Sequence, residues 1–262
     1  MKTDIFSVYT PPRQVGAGIP LVLLHAVGLD LTWWRDQIGA LSNNRAVWAL
    51  DLPGHGRSGD TSDYNIATLS DEIAAFIGSE IATRCVVCGL SVGGMIAQQI
   101  AIRHPSLIER LILINTASRF SQNAQNLMIE RANSVAANGM QHLVQPTIER
   151  WFNADFRKHR PDIVESCRRH LSQIDPETHG RMWRAIARHN TYSDIVKLQQ
   201  PTLVLVGEDD TSTTPSMARE IADAIPHAQL RVLSGASHLS PIETPNAVNN
   251  EIREFLASST TE

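Results

Sequence analysis

Short runs of branched apolar residues alternate with amphipathic stretches along most of the chain. The runs are PLVLLH at 20–25, AVWALD at 46–51, CVVCG at 85–89, RLILIN at 110–115, PTLVLVG at 201–207 and QLRVLSG at 229–235. Each has strand length and ends at Gly, Pro, Asp or Asn. Most lack strict apolar–polar alternation, as expected of strands covered on both faces by crossover helices. A further strand is expected at about 5–10, followed by a turn-rich connection, TPPRQVGAGIP. Between the runs, 68–81 carries apolar positions at helical spacing behind a Ser or Thr start. Residues 91–105 form a helix that stops near Pro105, 215–225 opens with a first-turn proline, and 245–257 is a last helix. This order predicts an α/β fold: a doubly wound, mostly parallel sheet.

One segment breaks the rhythm. More than eighty residues between the strands at 110–115 and 202–206 show helical periodicity and no clear strand. Connections are normally short, so this stretch should hold structure of its own. We expect a helical cap at 119–190 inserted into a core formed by 1–118 and 191–262.

Composition changes this picture little but narrows the function. The chain has 262 residues, 42% hydrophobic and 19% charged, enough for one large core and a modest insertion. A net charge of −4 gives no basic surplus to attract nucleic acid or an anionic membrane. No stretch has transmembrane length, and the first residues turn polar too soon for a signal-peptide core. The cysteines, Cys85, Cys88 and Cys167, are odd in number and sparse, which favours a reducing compartment and a cytoplasmic location. Cys85 and Cys88 make a C-x-x-C. Inside a strand they point to opposite faces, and no second pair completes a zinc set. They read as buried apolar residues.

Candidate chemistry begins at GLSVG, 89–93, a G-x-S-x-G between a predicted strand and a predicted helix. A nucleophilic serine needs a sharp turn to project its Oγ. Gly89 and Gly93 remove side chains that would crowd that turn. The following helix aims N–H groups at charge developing on a substrate oxygen. The backbone N–H groups of Val92 and of Val27, in the HAVG loop, are the expected oxyanion donors. Serine needs a base, and the base needs an orienting acid. His238 follows the last predicted strand on a small-residue loop, in SGASHLSPIE, and is the expected base. The acid should lie in the turn after 201–207, where Glu208, Asp209 and Asp210 are available and spacing does not separate Asp209 from Asp210. Asp51, which precedes the serine and opens LPGHG, reads as structural. There is no P-loop, G-x-G-x-x-G or metal-ligand cluster, so neither cofactor nor metal is expected.

DLPGHGRSG at 51–59, GLSVGGM at 89–95, GEDD at 207–210 and GASH at 235–238 together resemble the α/β-hydrolase superfamily. The resemblance implies a serine acyl hydrolase without metal. It carries over Ser91 as nucleophile, Asp210 as acid and His238 as base. A narrower resemblance, to 3-oxoadipate enol-lactonases, rests on GLSVGGMIAQQIA, LILINTASR, ERWFNADFR, PTLVLVGEDDTSTTP and SHLSPIETP. It implies cleavage of a small anionic enol-lactone in aromatic-compound degradation. The chain departs from that family in HAVG, in Pro53 and in GRMWRAIARHN. The expected partner is a small ester or lactone. Alternatives on the same serine machinery are a general carboxylesterase and a cofactor-free perhydrolase or haloperoxidase. The complete Ser–Asp–His set argues against a non-catalytic binding protein. Pocket candidates are His25 (substrate contact or loop-shaping), Trp33, Trp34, Met95, Trp151, Phe152, Trp183, Arg184 and Arg188. Arg150 and Arg181 are further cations that could face a substrate carboxylate.

Overall fold

Seven strands form one sheet: β1 (Ser7–Thr10), β2 (Gly18–Leu24), β3 (Arg45–Leu50), β4 (Cys85–Leu90), β5 (Ile108–Ile114), β6 (Thr202–Gly207) and β7 (Gln229–Leu233). Their order is β1-β3-β2-β4-β5-β6-β7. Only β1 runs antiparallel to its neighbour; every other pairing is parallel. The structure is a computed structural model describing residues 4–14 and 18–258. Residues 15–17 of the expected turn-rich connection lie outside them.

The central strands are buried on both faces, and their residues divide between two apolar clusters. Val22 and Leu24 of β2 and Cys85 and Val87 of β4 face one cluster; Leu21, Leu23, Val86 and Cys88 face the other. Cys85 and Cys88 are therefore on opposite sides of the sheet. The first cluster is closed by α2 (Ile66–Phe76) and α3 (Val92–Arg103), and by the helix Pro215–Ala224. The second is closed by α1 (Arg35–Leu41) and by the C-terminal helix.

Between β5 and β6 the chain forms α4 (Gln122–Asn138), α5 (Gln141–Trp151), α6 (Ala154–His159), α7 (Pro161–Gln173), α8 (Pro176–Ala187) and the short α9 (Tyr192–Ile195). The remaining helices are α10 (Pro215–Ala224), α11 (Ser240–Glu243) and α12 (Pro245–Ala257). The side chains of α8 that pack inward, Met182, Ala185 and Ile186, join the first cluster; those of α5 and α7 join the second.

Two local expectations need correction. The helix expected at 68–81 begins earlier, because Asn65 accepts the Ala67 N–H and caps it. It ends in a π-turn, Ile77–Ile81, closed by Ala82 in the left-handed region at φ 55°. Residues 31–41, where no helix is expected, form a 3₁₀ turn and α1; Asp30 caps this unit by accepting the Thr32 N–H.

Candidate active site

Three loops meet at the C-terminal rim of the sheet. Ser91 sits between β4 and α3 with φ 55° and ψ −116°, an uncommon conformation for a residue with a side chain. The surroundings hold it there: its N–H donates to Ile114 O at 2.9 Å, and its carbonyl accepts from Thr116 Oγ1 at 2.7 Å. A Cβ on Gly89 would lie 2.2 Å from Gly93 O. A Cβ on Gly93 would lie 2.3 Å from Leu24 O. The second glycine is thus required by the backbone leaving β2, not only by the turn itself. Strain of this kind costs on the order of 1–3 kcal/mol and persists only where packing over-determines it.

His238 follows β7 and is buried. Its Nε2 lies 3.1 Å from Ser91 Oγ, and its Nδ1 lies 2.9 Å from Asp210 Oδ2. The structure separates the three acids after β6: Glu208 and Asp209 are exposed, whereas Asp210 is buried and directed at the imidazole. Asp210 is also heavily solvated by protein. Its Oδ1 accepts the Ser212 and Thr213 N–H groups, and its Oδ2 accepts from Asn115 Nδ2 at 2.8 Å and Thr213 Oγ1 at 2.7 Å. Burial pushes the carboxyl upward, but the neighbouring His238 and these donors outweigh it and hold the group down at about 2. A carboxylate so placed fixes the proton of a neutral imidazole on Nδ1 and leaves Nε2 free to take a hydroxyl proton.

Two groups here are missing from the sequence reading. Asn115, at φ 44° directly after β5, bonds Asp210, Ser237 O and Ser240 Oγ, and so joins the acid to the loop carrying the imidazole. A polar residue closing the apolar run RLILI at the same rim was the available signal. Glu243 Oε2 accepts the Ser237 N–H, and Oε1 accepts the Asn153 N–H at 2.9 Å. Burial raises its carboxyl to about 7 despite those two donors and the nearby His238.

A cavity of about 250 Å³ opens onto Ser91 and His238. From the sheet side it is lined by Ala26, Val27 and Met95, and from the helices between β5 and β6 by Arg131, Arg150, Trp151 and Trp183. Phe120, Leu127, Met128 and Ile186 add apolar wall. The N–H groups of Val27 and Val92 have no acceptor among the described residues. His25 does not line this cavity: Nδ1 meets Ala26 O, and Nε2 accepts the Leu52 N–H, so it shapes the loop. Asp51 likewise accepts the Leu31 and Arg57 N–H groups.

Several pocket candidates fall elsewhere. Trp34 and Phe152 are enclosed in the second apolar cluster, because their bulk completes helix packing beneath the insertion. Trp33 sits at a separate surface hollow near Arg160, edge-on to His170. Arg184 bonds Asn133 across α4 and α8, and Arg188 is exposed beside Asn65 and Gln99. Arg181 is held by Asp60 over the Tyr64 ring. Arg131, which no motif marked, lines the cavity instead. Among the described residues no group of three or more His, Cys, Asp or Glu is arranged to hold a metal ion. No helix among them is long and apolar enough to cross a membrane.

Comparison with known proteins agrees with this fold. A family model described as alpha/beta hydrolase fold matches residues 19–245. The chain is 30% identical to 3-oxoadipate enol-lactonase 2 of Acinetobacter baylyi, over 90% of this chain and 88% of that protein. It is 26% identical to the (E)-2-((N-methylformamido)methylene)succinate hydrolase of the same organism, over 94% and 93%. Among solved structures, the enol-lactonase from Burkholderia xenovorans LB400 superposes with a TM-score of 0.92 at 31% identity, covering 98% of this chain and 97% of that one.

Proposed function

The chain belongs to the α/β-hydrolase family, and from that premise we propose that it hydrolyses small carboxylic esters or lactones through an acyl-enzyme on Ser91. The contact series Asp210 Oδ2–His238 Nδ1 and His238 Nε2–Ser91 Oγ carries this reading. His238 Nε2 takes the Ser91 proton as Oγ attacks the carbonyl carbon. The tetrahedral oxyanion accepts the N–H groups of Val27 and Val92, which have no other acceptor among the described residues. The C–O bond to the leaving group breaks as His238 returns the proton to the departing oxygen. Water, deprotonated by His238, then attacks the acyl-enzyme. Collapse releases the acid and restores the Ser91 hydroxyl. In a lactone the departing oxygen stays tethered to the acyl chain, so one product carries both groups.

Residues 119–190 act in this reading as a cap over a core of 1–118 and 191–262. Support comes from Arg131, Arg150, Trp151 and Trp183, all from this segment, which complete the cavity wall opposite the sheet rim. Within the ester and lactone class, 3-oxoadipate enol-lactone is the proposed substrate. That choice rests on similarity to the two enol-lactonases over nearly the whole chain.

A fluorophosphonate probe followed by peptide mapping tests the nucleophile. Label on Ser91, abolished in Ser91→Ala, is the expected result; active protein unlabelled at Ser91 overturns it. Parallel rates on the enol-lactone, on simple lactones and on p-nitrophenyl esters test the substrate. Equal or faster turnover of plain esters replaces the enol-lactone with a general carboxylesterase.

A further inference from the structure

Two half-buried arginines in the cavity wall have no carboxylate partner among the described residues. Arg131 projects from α4 and Arg150 from α5, and both line the cavity that holds Ser91 and His238. Both guanidinium groups lie over the Trp183 ring, at 4.9 and 5.9 Å from its centroid. Neither pairs with a carboxylate among the described residues, and no Asp or Glu lines the cavity. Arg131 spends one donor on Thr147 Oγ1, while its Nε is buried without a partner. Arg150 has no hydrogen bond to protein among the described residues. By contrast, Arg103, Arg119 and Arg160, at the surface, and half-buried Arg181 are each fixed by a carboxylate.

Two like charges set together in a half-dry cavity are unfavourable. Burial, and then each other's proximity, lower the proton affinity of Arg131 to about 9, and burial lowers that of Arg150. Both remain charged at neutral pH. Trp183 cannot neutralise them, although its ring face attracts both. The indole is itself held in place, its Nε1 donating to His179 Nε2 at 2.9 Å. Burial and then Arg131 keep His179 neutral and able to accept that bond. A carboxylate entering the cavity would supply the absent countercharge and accept the idle donors in a bidentate contact.

We propose that Arg131 and Arg150 are a carboxylate-binding subsite, so that the substrate is an ester or lactone carrying a free acid group several bonds from the scissile carbonyl. The orientation rests on the Ser91 reading: the carbonyl faces the sheet rim and the acid faces α4 and α5. Charge-assisted hydrogen bonds of this kind distinguish an anionic from a neutral ligand by roughly 10- to 100-fold.

The test compares kcat/KM for p-nitrophenyl hydrogen glutarate with that for its neutral methyl ester, in the full-length protein. Wild type should favour the anion, and the preference should weaken as salt rises. In Arg131→Gln and in Arg150→Gln the anion-to-neutral ratio should fall at least about tenfold. Arg150→Lys should retain part of it, because charge survives while the planar fork does not. A ratio within about twofold of wild type in the double Gln variant overturns the proposal and leaves the pair as a support for Trp183. A measurement without variants guards against misfolding. Glutarate should quench tryptophan fluorescence and compete with the neutral ester more strongly than glutaramide does; equal competition by the two overturns the subsite. Failure of Ser91 labelling would remove the acyl-enzyme reading alone, since the fluorescence titration does not depend on turnover.

Discussion

Replacing Asp210 with Asn keeps the shape of the site and reverses its hydrogen-bond logic. Oδ1 accepts two backbone N–H groups, so an Asn oxygen settles there. The new NH₂ then occupies the Oδ2 position, where His238 Nδ1, Asn115 Nδ2 and Thr213 Oγ1 converge. The Thr213 hydroxyl can turn and accept; Asn115 Nδ2 cannot. His238 relieves its own conflict by accepting at Nδ1, which moves the proton to Nε2, facing Ser91. The base is then unable to take the serine proton. The expected loss in kcat is on the order of 10³–10⁴, or roughly 4–5.5 kcal/mol of transition-state stabilisation. The same substitution alters the acid limb of stability. A carboxyl depressed from 3.8 to about 2 on folding stabilises the native state above its unfolded value. It loses that contribution as pH falls through 2, and the amount is about 2 kcal/mol. Stopped-flow hydrolysis of a p-nitrophenyl ester gives the rate, and ¹⁵N NMR of the imidazole gives the tautomer. A loss under tenfold, with the proton still on Nδ1, would refute the orienting role of Asp210.

Further outcomes follow from neighbouring features. Gly93→Ala sets a Cβ 2.3 Å from Leu24 O and 2.8 Å from His25 O. It should cost about 1–3 kcal/mol or more and slow phosphonate labelling of Ser91; wild-type melting and labelling would contradict the close approach of β2 and α3. Glu243 titrates near 7 when folded against 4.5 when unfolded. Stability should therefore decline as pH rises from 4.5 to 7, by up to ~3 kcal/mol. Melting curves of Glu243→Gln should lack that decline, and an unchanged slope would dissociate it from this carboxyl. Burial pushes the Cys85 and Cys167 thiols up to about 12 and Cys88 higher still. A thiol-disulfide reagent at pH 8 should find no thiol in native protein and all three after denaturation; rapid native reaction at Cys85 or Cys88 would show the sheet to be open at β4.

The sheet was legible because strands covered on both sides must be apolar where they cross the core, as Leu21–Leu24 of β2, Cys85–Cys88 of β4, Leu111–Ile114 of β5 and Leu203–Val206 of β6 are. The relay was legible because its backbone demands fall on short segments: glycines around Ser91, a carboxylate turn after β6, a small-residue loop before His238. Asp210 was separable from Asp209 only by resemblance, since side-chain direction in a turn depends on φ and ψ rather than on spacing. The cavity wall was hard to read for a different reason. An insertion helix exposes several faces, and composition does not reveal which one meets the site. Trp34 and Phe152 have the bulk expected of a pocket wall, but the same bulk suits them to the core. Arg131 lies in a helix without a motif, and its significance appears only beside Arg150, which the next helix brings to the same wall.

The helical segment between β5 and β6 is stitched to the loop that carries His238. Leu239 N–H donates to Trp151 O, the Asn153 N–H donates to Glu243, and Asn153 Nδ2 donates to Gly235 O. A wholesale outward swing of the α5–α6 corner would pull the imidazole off Ser91 and disarm the enzyme whenever it opened. The margin along α4, where Leu127 borders the cavity and is 57% exposed, makes no hydrogen bond to the His238 loop among the described residues. A few side chains there can yield to an arriving molecule, so admission and readiness to react need not compete.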